Sequence, residues 1–109
     1  MHVSDLEQRY ADLCAAFLER DGVHQDGKGF GSSALKVNGR IFAMLSSRGD
    51  FVLKLPRQRV AALIASGDGV AYDAGKGRPM KEWLAVPARS QLNWSLLAEE
   101  ALAFVQAKN

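Results

Sequence analysis

Residues 34–56 read ALKVNGRIFAMLSSRGDFVLKLP, and the fold is decided in this stretch. Asn38-Gly39 is a dipeptide that accepts positive φ at both central positions of a two-residue hairpin turn. Leu35 and Val37 stand before it, and Ile41 to Leu45 follow. A second polar turn leads to FVLKL, where Phe51, Leu53 and Leu55 alternate with Val52 and Lys54 at the period of a strand. The stretch predicts a three-stranded antiparallel meander. Its middle strand, Ile41–Leu45, is apolar at every position, whereas a half-exposed strand alternates. Either helices cover both of its faces, or the second face meets another molecule.

Upstream, Leu6, Tyr10, Leu13, Cys14, Phe17 and Leu18 recur at helical spacing behind Ser4 and Glu7, a capping-box pair. This predicts a helix from about Asp5 to Arg20, with Gly22 suited to its stop. GVHQDGKGFGSS, residues 22–33, has four glycines and no periodicity and reads as a loop. Downstream, Pro56 opens a helix whose apolar stripe is Val60, Leu63 and Ile64, with Gly67 closing it. GVAYD and EWLAV read as short strands, the second ended by Pro87. Trp94, Leu97, Ala98, Ala101, Phe104 and Val105 trace a last helical face. The expected fold is α+β, one domain over residues 1–109, with an antiparallel sheet of about five strands packed with three helices in the order α-β-β-β-α-β-β-α. Three short helices can hardly cover both faces of such a sheet, so self-association as a homodimer is expected.

The 109 residues, 48% hydrophobic and 24% charged, are those of one ordinary globular domain. No apolar run approaches the roughly 20 residues of a membrane-spanning helix. MHVSDLEQRY has no basic end followed by an apolar block, so no signal peptide is expected. The single cysteine, Cys14, excludes an internal disulfide and a multi-cysteine metal site. A cytoplasmic location and no membrane partner are expected. The net charge of +2 hides an asymmetry. Residues 1–27 balance at −4, residues 28–89 at +7 and residues 90–109 at −1. An anionic partner is therefore to be sought in the middle of the chain.

Motifs for catalysis are thin. GKGRP, residues 75–79, resembles an anion loop but lacks the GxxxxGK[ST] pattern and precedes a strand, where no helix N-terminus presents its amides. It reads as a β–β connection, with Trp83 anchoring the next strand in the core. GKGFGSS, residues 27–33, follows a helix and a loop, the wrong context for dinucleotide binding. Cys14, inside an apolar stripe, reads as a small buried hydrophobe. His24 with Asp21 and Asp26 matches no metal-ligand spacing, and with only His2 besides, no Ser-His-Asp arrangement can be argued. No catalytic, cofactor or metal site is expected.

The basic residues remain. Arg40, Lys54, Arg57, Arg59, Lys76, Arg78 and Lys81, with Lys36 and Arg89 among them, flank the strands and are the candidate anion or nucleic-acid contacts. The competing account is that basic side chains on strands discourage edge-to-edge aggregation. Phe42, Phe51, Trp83 and Trp94 sit in apolar patterns and read as core rather than as base-stacking platforms.

ALKVNGRIFAMLSSRGDFVLKLP, RVAALIASG and GRPMKEWLAVP together resemble the small proteins of the MmcQ/YjbR-like and TfoX N-terminal-domain group, over roughly residues 30 to 107. The most specific pieces are Lys36, Val37, Gly39, Phe42 and Ala43 of the hairpin, the VLKLP strand end and MKEWL. The resemblance implies an α+β fold with an antiparallel sheet against helices. It implies no catalytic residues; some members are labelled DNA-binding, and the TfoX proteins act in regulation of competence. The residues and the resemblance lead to two expectations: a non-enzymatic domain that binds protein or its own copy, and, alternatively, a nucleic-acid-binding module using residues 28–89.

Overall fold

The structure is a computed structural model that describes residues 3–25, 34–46, 50–72, 81–87, 90 and 92–107. Its elements are α1 (Val3–Phe17), β1 (Val23–His24), β2 (Leu35–Val37), β3 (Arg40–Leu45), β4 (Phe51–Lys54), α2 (Arg57–Ala65), β5 (Val70–Ala71), β6 (Trp83–Val86) and α3 (Trp94–Ala107). The strands form one sheet, antiparallel throughout, in the order β1-β2-β3-β4-β6-β5. The α+β class is as expected, with six strands rather than five.

The additional strand is β1, in a segment that reads as loop. Val23 pairs with Val37 and His24 with Lys36. Two residues are too few to show a period, and this strand is held by its surroundings. The Asn38 N–H donates to the Gly22 carbonyl at 3.2 Å, and the Gly39 N–H donates to His24 Nε2 at 3.3 Å. His24 therefore braces the hairpin turn; Asp26 lies outside the described residues. The turn itself has φ of +53° at Asn38 and +84° at Gly39, the left-handed pair that matches the twist of the flanking strands.

β3 carries a bulge. Leu35 is opposite Ala43, yet the next residue, Lys36, is opposite Ile41, so Phe42 is extra. The bulge lets neighbouring residues face the same way: Phe42 and Ala43 are both fully buried in the core, while Ile41 and Met44 are half-buried outside it. The run Ile41–Leu45 is thus apolar throughout partly because one register step is skipped.

One core forms beneath the sheet. Tyr10, Leu13, Cys14 and Phe17 of α1, Val60 and Leu63 of α2, and Trp94, Leu97, Ala98, Ala101, Leu102 and Val105 of α3 join Phe42, Phe51, Leu53, Leu84 and Val86 in a single cluster. Trp94 stacks on Phe51 with centroids 4.4 Å apart, and Phe17 tilts against Phe42 at 6.1 Å. Each such fully buried aliphatic or phenyl side chain contributes about 1.5–3 kcal/mol over leaving it in water. Val52 and Ala85, although buried, stand outside this cluster and alternate with its members, so the three helices share one sheet face.

Helix boundaries depart modestly from expectation. α1 already includes Val3, which places Ser4 inside the first turn, and it ends at Phe17, leaving Leu18 40% exposed. Pro56 is the N-cap of α2 rather than a first-turn residue. α2 ends in a Schellman arrangement: the Gly67 N–H donates to the Ile64 carbonyl and the Asp68 N–H to the Leu63 carbonyl, with Gly67 at φ +85°. Ile64 is exposed, not part of the apolar stripe. Asn93 Oδ1 accepts the Leu96 N–H at 3.1 Å and caps α3.

Candidate functional site

Pairing between β3 and β4 stops at Ala43 and Leu53, although β3 continues back to Arg40 and β4 forward to Lys54. The two strands part where the bulge bends β3. A cleft of about 410 Å³ opens there, lined by Lys36, Gly39, Arg40, Ile41, Lys54 and Trp83, with Val105 of α3 also contributing. Register explains the gathering. Lys36 is opposite Ile41, and Lys54 is opposite Trp83, so four adjacent strands bring these side chains to one end of the sheet.

Lys54 Nζ lies 4.0 Å from Glu82 Oε1 and 5.6 Å from the centroid of Trp83. The first distance is the outer limit of an ion pair; the second places the ammonium over the indole face. Arg40 is exposed and makes no ion pair among the described residues. The strand ends bring further charge: the Leu55 N–H donates to the Glu82 carbonyl at 3.0 Å, which sets the 81–82 segment beside the end of β4. Lys81 and Arg57, close in sequence to that junction, are both exposed.

The candidate contacts divide accordingly. Arg40 and Lys54 meet in the cleft, together with Lys36; Arg57 and Lys81 flank it along the chain. Arg59 points elsewhere, held by both carboxylate oxygens of Glu100 on α3. Lys76, Arg78 and Arg89 lie outside the described residues, as do GKGRP, GKGFGSS and His2. Trp83 corrects the sequence reading: it is half-buried and forms the cleft wall, while its neighbour Leu84 supplies the core anchor. Ile41 and Val105 were not among the candidates. Counting outward from the Asn38-Gly39 turn would have placed Lys36 opposite Ile41; nothing in the sequence places Val105 beside them.

The cleft holds no histidine, cysteine or carboxylate in its described lining. Cys14 is buried, as expected: its Sγ accepts from Gln25 Nε2 at 3.4 Å, and burial pushes the thiol pKa up, away from reactivity. Burial, then the neighbouring Cys14, raises the Tyr10 phenol as well. Among the described residues no group of three or more His, Cys, Asp or Glu side chains could hold a metal ion, and no helix is long and apolar enough to cross a membrane. A second groove, between α1 and α3, has its cation engaged: Arg9 stacks 4.0 Å over the Trp94 ring and reaches the Leu92 carbonyl at 3.5 Å. No protein-family model, curated protein or solved structure matches the chain.

Proposed function

We propose that this domain is a non-enzymatic binding module, and that the cleft end of its sheet engages nucleic acid through the phosphate backbone. The observation that carries this reading is the convergence of Lys36, Arg40 and Lys54 on one cleft. Protection of sheet edges does not account for these lysines. Lys54 is on β4, between β3 and β6, and Lys36 is on β2, between β1 and β3; neither strand is an edge. A phosphate seated among these side chains would meet several cations at once while releasing counterions. The resemblance to the MmcQ/YjbR-like and TfoX N-terminal-domain group, some of whose members are labelled DNA-binding, agrees with this reading, and a cytoplasmic setting goes with it.

Titration of labelled DNA at low and near-physiological salt tests the proposal. Replacing both Arg40 and Lys54 by Ala lowers affinity and reduces the salt slope by about two, roughly one for each phosphate no longer neutralised. An unchanged slope sinks the assignment of these residues, and no binding at low salt removes the nucleic-acid reading.

A second reading has its own observation. All three helices pack on one sheet face, leaving Ile41, Met44, Val70 and Trp83 partly exposed on the other. Self-association through that face would cover them. A light-scattering mass of one chain at high micromolar concentration counts against it.

A further inference from the structure

We infer that the cleft receives an unpaired nucleotide of a single strand, its base against Trp83 and its phosphate among Lys36, Arg40 and Lys54. This rests on the nucleic-acid reading above and names the form of nucleic acid. Phosphate contact alone needs only an exposed basic surface, and a duplex would satisfy it. This site has more. It is a concave cleft of about 410 Å³, open to solvent on one side, with room to seat one planar ring. The lining pairs cations with an aromatic wall and the half-buried Ile41, and the buried Val105 closes its floor. That combination suits a flat ring joined to an anion, and a base paired and stacked within a duplex cannot offer its ring.

Of the two tryptophans only Trp83 is available for this. Trp94 is 3% exposed and already stacked on Phe51. The ring face of Trp83 is now shared with the Lys54 ammonium, a contact easily replaced: Nζ is 5.6 Å from the centroid and only loosely paired with Glu82 at 4.0 Å. An arriving base takes the place of the ammonium on the indole, and the lysine, on its flexible stem, turns to the phosphate. Both partners keep a favourable contact.

The test compares a labelled oligothymidylate with a duplex of the same length, by anisotropy, for the native chain and for Trp83→Leu and Trp83→Phe. The native chain binds the single strand more tightly. Trp83→Leu weakens single-strand binding roughly five- to a hundredfold, as expected for one base that no longer stacks, weakens duplex binding far less, and keeps the salt slope, since no cation is removed. Trp83→Phe restores most of the affinity, which separates stacking from a folding defect. Equal affinity for the two forms, or single-strand binding untouched by Trp83→Leu, overturns this inference while leaving the phosphate-binding reading in place. Thymidine monophosphate binding as tightly as the strand also overturns it, in favour of a small-ligand site. Failure of either nucleic acid to bind at low salt overturns both readings together.

Discussion

Arg59 on α2 is clasped by Glu100 on α3: Nε donates to Oε1 at 2.9 Å and Nη2 to Oε2 at 3.1 Å. The fork geometry is the favourable one for arginine and carboxylate, but the side chains remain 44% and 39% exposed. Solvent screening holds such a pair to about 0–1 kcal/mol. Arg59→Ala is therefore expected to shift the urea midpoint slightly and to leave nucleic-acid affinity and its salt slope untouched, unlike Arg40→Ala. A matching drop in slope from Arg59→Ala would return Arg59 to the binding surface.

Gly69 meets the core by close approach. A Cβ built there would lie 2.6 Å from Leu84 Cδ1 and 3.0 Å from its Cγ, and Leu84 is fully buried on β6. Gly69→Ala forces that leucine off its packing position and is expected to cost about 1–3 kcal/mol. Combining it with Leu84→Ala removes the collision, so the double variant is less destabilised than the sum of the two single changes. Additive losses in denaturant unfolding would show that the clash is not the cause.

The two faces of β3 predict a contrast between adjacent residues. Phe42→Ala empties a fully buried core position and is expected to cost about 3–5 kcal/mol. Ile41→Ala, half-buried on the other face, should cost less than half as much. A regular strand would separate these two residues as well but would put Ala43 on the side of Ile41, whereas the bulge keeps Ala43 in the core with Phe42. Comparable losses at both positions would argue against the placement of Phe42 in the core and Ile41 outside it, and a polar residue tolerated at Ala43 but not at Phe42 would argue against the extra residue in β3.

Alkaline pH should weaken the fold through Tyr10 and Cys14. Burial raises both pKa values in the native state, so the unfolded chain gives up these protons first. Their contribution is fully present below the unfolded values, about pH 8.5 for the thiol and about pH 10 for the phenol, and is lost as pH rises beyond them. Urea unfolding followed upward from neutral pH should show two declines, with Cys14→Ala removing the earlier and Tyr10→Phe the later. An unaltered curve for Tyr10→Phe would mean that another group titrates.

Much of the architecture was legible because it rests on local rules. The Asn38-Gly39 turn, the alternation of Phe51–Leu55 and the glycine at 67 each state their conformation within a few residues. β1 was illegible because its two residues are held by Gly22, His24 and the turn opposite, contacts no period encodes. The bulge was hidden for a related reason: a skipped register step and a two-sided strand produce the same apolar run at Ile41–Leu45. For the site, residue types sufficed to suggest Arg40 and Lys54, while the separation of Arg59 from them depended on where α3 carries Glu100. Trp83 looked like core because an apolar strand pattern does not say which of its faces is covered.

The strand order also bears on how the chain assembles. β2, β3 and β4 are joined by short turns, so their pairing closes small loops and costs little chain entropy. β6 pairs with β4 although α2 and β5 intervene in the chain between them, and α3 then covers the centre of the sheet. A transition state built on the hairpins follows, with the C-terminal half condensing later. Kinetic unfolding of Val37→Ala and Leu84→Ala reads this directly. The first should slow folding, with a φ-value well above that of the second, which should mainly hasten unfolding.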